Sequence, residues 1–183
     1  MRKIIAAMNM TLDGNFDHNE GVAGDEIHAH YADLLDNSDV MLLGRITYQL
    51  MEFWPEFLRN PTDNKAMNDF AVSIDRIPKI VFSKTLKDIE WPTARLATRE
   101  LKDEVGALKN QPGKDILISS RSLIVALLNL GMIDELQIII HPTITGKGPR
   151  LLDNINEKIN LKLISSKVFE TTGSVLLCYE PGS

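Results

Sequence analysis

The chain has 183 residues, 44% hydrophobic and 25% charged, an ordinary composition for a globular fold that buries its own core. A net charge of −5 excludes the clustered cationic surplus a nucleic-acid scaffold needs, and one cysteine, Cys178, excludes a disulfide framework or a cysteine-based zinc site. The longest strongly apolar run, around Leu123–Leu128, is too short to span a bilayer.

The opening Met1-Arg2-Lys3 leads directly into Ile4-Ile5-Ala6-Ala7 without a signal-type cleavage region. The expectation is one cytoplasmic domain over residues 1–183, with no membrane, nucleic-acid or metal partner. Lys3–Asn9 reads as a strand buried on both faces, and Thr11–Gly24, rich in Gly, Asp and Asn, as a loop. Asp25–Asp36 places Ile27, Tyr31, Leu34 and Leu35 on one helical stripe. Val40–Leu43 is a short strand ending at Gly44-Arg45, and Ile46–Trp54 reads as helical until Pro55. Thr62 and Asp63 are the N-cap candidates of a helix that ends before Pro78.

Lys79–Phe82 is a strand closed by Ser83-Lys84, and Arg95–Ala97 a short strand before a helix from the cap Thr98 to about Lys109. Pro112-Gly113 breaks the chain before the strand Asp115–Ser119. Ser120 to Leu130 is helical, with Gly131 at the C′ position. Glu135–His141 is a strand and Pro142–Pro149 a loop; Leu161–Thr171 and Ser174–Glu180 form a hairpin around Thr172-Gly173. Strands alternating with helices predict an α/β, three-layer, doubly wound mixed sheet, mostly parallel, with an antiparallel C-terminal hairpin.

Ligands of such sheets bind beyond the carboxyl ends of the strands, so Met10–Gly14, Gly44–Tyr48, Ser83-Lys84, Ser119–Ser122 and the loop Gly146-Lys147-Gly148-Pro149-Arg150 are the segments of interest. Gly44-Arg45-Ile46-Thr47 opens a helix after a strand, where free N–H groups, Arg45 and Thr47 can meet phosphate. The plain alternative is an ordinary turn with a surface arginine. Ser83-Lys84 repeats the hydroxyl-plus-cation pattern, or is an exposed turn. Two such pairs on neighbouring strands would suit a phosphate-rich ligand. Asp13 before Gly14 is a turn former or a site carboxylate. Lys147 and Arg150 are solvated charges of a hinge or an anion contact. His28 and His30 do not share a helix face as metal ligands would. Tyr48, Phe53, Trp54 and Phe57 suit core or subunit-interface packing, or a wall over a substrate.

Leu42-Leu43-Gly44-Arg45-Ile46-Thr47-Tyr48 resembles the Gly-Arg-x-Thr-Tyr/Trp motif of the dihydrofolate reductase fold. Met10-Thr11-Leu12-Asp13-Gly14 resembles the Ser-x-Asp-Gly segment of the reductase domain of bacterial riboflavin synthesis. Gly131-Met132-Ile133-Asp134-Glu135-Leu136, with Pro142 and Gly146-x-Gly148, resembles that branch's Gly-Leu-Ile-Asp-Glu-Leu and Pro…Gly-x-Gly signature. The resemblance spans residues 2 to 180 and implies an NADPH-dependent reductase of a small-molecule heterocycle, similar to 5-amino-6-(5-phosphoribosylamino)uracil reductase, and a homodimer. Dihydrofolate reduction, or a catalytically silent nucleotide-binding dimer, are the alternatives.

By this resemblance Gly44, Arg45 and Thr47 contact cofactor phosphates, and Ser83 with Lys84 holds the 2′-phosphate. Asp13 is the carboxylate beside nicotinamide and substrate, and Gly146, Lys147, Gly148 and Arg150 face the substrate. Against the family's usual glycine pair, this chain has Ser119-Ser120-Arg121-Ser122 at the pyrophosphate turn. The expectation is a strained turn and weak NADPH binding that glycines at 119 and 120 would strengthen, with Ser120, Ser122 and Arg121 as compensating donors. The pterin-binding carboxylate of folate enzymes would fall near His28, with Asp25 one turn earlier, so poor activity on dihydrofolate is expected.

Overall fold

The computed structural model describes residues 2–182. Eight strands form one sheet: β1 (Ile4–Thr11), β2 (Ser38–Gly44), β3 (Lys79–Phe82), β4 (Ala94–Leu96), β5 (Asp115–Ile118), β6 (Glu135–His141), β7 (Leu161–Phe169) and β8 (Ser174–Pro181). Their order is β4-β3-β2-β5-β1-β6-β8-β7, and only β8 runs against the others. The helices are α1 (Asp25–Asp36), α2 (Arg45–Met51), α3 (Glu56–Arg59), α4 (Lys65–Arg76), α5 (Leu101–Lys109) and α6 (Arg121–Asn129). This is the expected α/β architecture, mostly parallel with an antiparallel C-terminal hairpin.

Alternation along the central strands builds two cores. Ile4, Ala6, Leu42, Ile116 and Ile118 pack with Val105 of α5 and Leu123, Ile124 and Leu127 of α6. The intervening Ile5, Ala7, Met41, Leu43 and Leu117 pack with Ala32 and Leu35 of α1 and Phe70, Ala71 and Ile74 of α4. Strands flanked by helices on both faces need the near-continuous apolar runs seen here.

Several boundaries differ from expectation, each for a local reason. The cap of α4 is Asn64, whose Oδ1 accepts from Met67 N–H at 2.9 Å, while Thr62 Oγ1 accepts the Asn64 N–H at 3.1 Å. Thr62 therefore braces the cap rather than supplying it. α5 begins at Leu101 with no side-chain cap, so Thr98 does not open it. The helix expected over Ile46–Trp54 stops at Met51; Pro55, which has no N–H to give, starts the short α3. Gly131 has φ +62°, and its N–H and that of Met132 close α6 on Leu128 and Leu127 carbonyls at 3.0 Å each, the expected C′ glycine.

Candidate active site

Sheet register gathers three of the predicted segments. Gly44 pairs with Phe82, and Leu42 with Ile118, so Gly44-Arg45, Ser83-Lys84 and Ser119-Ser120 leave neighbouring parallel strands at one edge. The buried Gly44 N–H donates to Ser120 Oγ at 2.8 Å. A Cβ on Gly44 would sit 3.2 Å from Ser122 Oγ, a tight contact that glycine at residue 44 avoids where the two turns meet. Arg45 and Lys84 are exposed and Thr47 half-buried. Ser83 Oγ accepts from the N–H groups of Thr85 (3.1 Å) and Leu86 (2.9 Å), leaving its hydroxyl proton for another acceptor. Ser119 Oγ is sealed and has no protein partner among the described residues.

Arg121 faces elsewhere. Its Nε donates to the carbonyls of Arg150 (3.1 Å) and Leu151 (3.3 Å), and Nη2 to that of Asp153 (3.0 Å). The guanidinium thus fastens the chain after β6 to the start of α6.

The strain expected at the serine turn is absent. Ser120 has φ −128° and ψ 124°, and among the described residues Asn154 is the only non-glycine with positive φ. Both serines occupy backbone open to any residue, because Ser120 enters α6 from the extended region. With no strain to release, the Ser119→Gly, Ser120→Gly change loses its backbone reason to strengthen NADPH binding. It removes the acceptor of a buried N–H, a loss of about 1–3 kcal/mol. Denaturant titration should show a lower midpoint, and an unchanged midpoint would contradict this account.

β1 projects beyond its neighbour. It pairs with β5 only as far as Ala6 opposite Ile118, yet follows β6 to Thr11 opposite His141. The Lys3 carbonyl bonds Ile116 N–H on the β5 side and the Ile4 carbonyl bonds Asp134 N–H on the β6 side. Alternation then turns the backbone groups of Ala7 and Asn9 toward the edge that β5 vacates. On the α1 face, the half-buried Asn9 accepts a hydrogen bond at Oδ1 from Tyr31 Oη at 2.6 Å.

Just past β1, Asp13 is a clasp. Its Oδ1 accepts from Thr11 Oγ1 at 2.6 Å and its Oδ2 from Gly146 N–H at 2.8 Å, while Thr145 N–H lies 3.3 Å from both oxygens. These bonds, led by Thr11, hold the carboxyl well below the usual carboxylate range. Asp13 is therefore a fixed anion near neutral pH, with no proton to give. The buried Asn15 continues the seam, donating to Thr145 Oγ1 (3.2 Å) and the Lys147 carbonyl (3.1 Å). Lys147 and Arg150 are exposed, and Arg150 Nη1 lies 3.4 Å from the Asp13 carbonyl.

In the first turn of α1, Asp25 Oδ1 accepts from Asn64 Nδ2 and Glu26 Oε2 from Thr171 N–H and Oγ1. His28 packs against Trp54 and Phe70 with Nδ1 sealed. Tyr48 and Trp54 belong to the core, whereas Ile46 and Leu50, four residues apart on α2, are exposed, as is Phe53 in the turn after it. His141 is buried, its Nδ1 3.1 Å from Ser174 Oγ and 3.3 Å from Val22 N. Two surface cavities lie elsewhere: about 300 Å³ beside Arg95 and Glu104, and about 380 Å³ between α1 and α4. Neither includes a residue predicted for the site.

A family model described as RibD C-terminal domain matches residues 2–175. The uncharacterized protein YyaP of Bacillus subtilis (strain 168) is 31% identical over 182 residues, covering 97% of this chain and 94% of its own length. The crystal structure of a candidate riboflavin biosynthesis protein from Shewanella sp. PV-4 matches with a TM-score of 0.74 at 18% identity, over 99% of both chains. A dihydrofolate reductase from Enterococcus faecalis complexed with NADP(H) matches with a TM-score of 0.63 at 12% identity, over 99% of this chain and 97% of that one. The two structures show that the fold is dihydrofolate reductase-like.

Proposed function

This chain belongs to the RibD C-terminal domain family, and from that membership and its strand-end geometry we propose that it is an NADPH-dependent reductase of a small heterocycle. The observation that carries the reading is the meeting of Gly44-Arg45, Ser83-Lys84 and the Ser119–Ser122 turn at three adjacent strand ends, beside the vacated edge of β1. The glycine cradle at residue 44, two exposed cations and unspent hydroxyl protons suit a chain of phosphates. Arg45, Thr47, Ser120 and Ser122 would hold the pyrophosphate, and Ser83 with Lys84 the 2′-phosphate.

NADPH when bound supplies a hydride; the protein orients and encloses. The β1 edge offers backbone donors and acceptors to a planar ring. Asp13 fixes the loop Gly146–Arg150 to the end of β1 and leaves Lys147 and Arg150 exposed for a sugar phosphate. The proposed substrate resembles 5-amino-6-(5-phosphoribosylamino)uracil. Dihydrofolate suits the site less, because His28, where the pterin-binding carboxylate would fall, is an imidazole packed against Trp54 and Phe70. A homodimer is the proposed assembly, supported by β7: it borders only β8 and exposes Leu161, Leu163, Ile164 and Val168. The proposed location is the cytoplasm; no helix among the described residues is long and apolar enough to cross a membrane.

Calorimetric titration tests the cofactor. NADPH should bind at least tenfold more tightly than NADH, since charge-assisted contacts to one extra phosphate contribute about 1.5–3 kcal/mol each. Lys84→Ala should erase most of that preference while leaving NADH binding unchanged. Equal affinities in the unaltered protein would refute the assignment of Ser83 and Lys84.

A further inference from the structure

One polar pair is left over by this account. Tyr31 on α1 donates to Asn9 Oδ1 on β1, three residues past the point where β1 stops pairing with β5. The phenol is deep enough that burial pushes its pKa well above the usual tyrosine value, so its O–H proton stays and must be donated. Asn9 Oδ1 is its only described acceptor. That requirement fixes the amide: were it turned over, Nδ2 would face the phenol and the tyrosine proton would have no partner. Asn9 Nδ2 is thereby turned away from α1. It has no protein partner among the described residues, and it is not among the sealed unpartnered atoms, so it is open to solvent. An unpaired, accessible amide donor on β1 selects for an acceptor on a ligand bound beside it, because a ligand donor placed there would leave both groups unbonded.

We propose that Asn9, held in one orientation by Tyr31, is the specificity-determining residue of the site and donates from Nδ2 to a ring carbonyl of the heterocycle. The inference rests on the reductase reading for the place of the heterocycle, but not on the cofactor. It divides ligands by chemistry: pyrimidinediones, with carbonyl acceptors, are favoured over diaminopyrimidines, which present amino donors at the same ring positions. Tyr31 is a positioning residue that acts only through the amide.

The test uses two probes, 5,6-diaminouracil and 2,4-diaminopyrimidine, titrated calorimetrically without cofactor. The unaltered protein should bind the uracil at least tenfold more tightly. Asn9→Asp keeps an acceptor for Tyr31 but turns a second oxygen toward the ligand. It should invert the preference, with the diaminopyrimidine ahead by tenfold or more. Asn9→Ala should lose discrimination altogether, and Tyr31→Phe, which frees the amide to rotate, should reduce it several-fold. An Asn9→Asp protein that retains the original preference overturns the proposal, as does an unaltered protein that binds neither probe. A parallel NADPH titration of the unaltered protein keeps the two questions apart. No NADPH binding, with the inversion intact, would remove the reductase reading and leave Asn9 as a carbonyl reader.

Discussion

An Asp13→Ala protein is expected to remain folded and to reduce the proposed uracil substrate at least about a hundredfold more slowly, because the loop Gly146–Arg150 loses its clasp to the end of β1. Asp13 joins segments 132 residues apart, through Thr145 and Gly146. Without the carboxylate the Gly146 N–H turns to water, and a displacement of about 1 Å over a reacting centre is worth about two orders of magnitude. Asp13→Asn should fare little better, since one oxygen becomes an N–H₂ facing donors already in place. The pH dependence separates a clasp from a proton donor. The Asp13 carboxyl titrates well below the usual range, so its contribution to stability is full above the unfolded value near 4 and is lost only as pH falls through the lower folded value. Steady-state NADPH oxidation in the unaltered protein should therefore show no acid limb from Asp13 between about pH 5 and 8. A limb in that interval that disappears in Asp13→Asn would make Asp13 a titrating catalyst instead.

Legibility in the sequence follows the range of the interactions. Apolar runs of strand length and helical stripes depend on neighbours in the chain, so every strand was placed to within a few residues, as was the Gly131 cap. Caps proved less legible. Thr62, Asp63 and Asn64 are all acceptable N-cap types, and only the backbone entry decides that Asn64 serves. Lys79 shows the same limit for burial. At a strand start it reads as a surface lysine, yet it is 1% exposed. Its Nζ donates to the Asp75 and Ile77 carbonyls and Thr93 Oγ1 and lies 4.0 Å from the Trp91 ring centroid, and burial lowers its pKa to about 8.

The site divides in the same way. Gly-Arg and Ser-Lys pairs after strands are local signals, and the α/β rule points to the strand carboxyl ends; which ends are neighbours is set by the sheet order. Side-chain partnerships are not local. That Arg121 serves the carbonyls of residues 150–153, that Ser120 serves Gly44, and that Asn9 meets Tyr31 all depend on which strands lie together and how far each runs. The glycine pair's absence was legible, but its consequence was not: strain requires a positive φ, and the turn enters α6 without one. A hydroxyl bridging two strand ends does the work that close backbone approach would otherwise do.

Gly148→Ala should lower the melting temperature by roughly 10 °C, corresponding to a loss of about 3 kcal/mol in a chain of this size. Gly148 has φ +94°, which L side chains adopt with a penalty of about 1–2 kcal/mol. Its Cβ would also overlap Asn15 Nδ2 and lie 2.8 Å from Asn15 Cγ. Asn15 cannot move aside cheaply. It is 3% exposed, and its amide donates to Lys147 and Thr145 while its Oδ1 accepts the Asp17 N–H at 3.0 Å. Displacing it breaks neutral hydrogen bonds worth about 1 kcal/mol each. Nor can the loop retreat as a body, since Leu12 N–H bonds the Thr143 carbonyl, Phe16 N–H that of Pro149, and Leu151 N–H that of Gly14. Gly146→Ala provides the contrast: φ is +68°, but nothing lies within 4 Å of the new Cβ, so only the backbone penalty remains. Differential scanning calorimetry of the two single variants and of Asn15→Ala/Gly148→Ala distinguishes collision from strain. If collision dominates, the double variant loses less than the sum of its singles. A Gly148→Ala protein that melts no lower than Gly146→Ala would show that the seam between the two loops is looser than these contacts require.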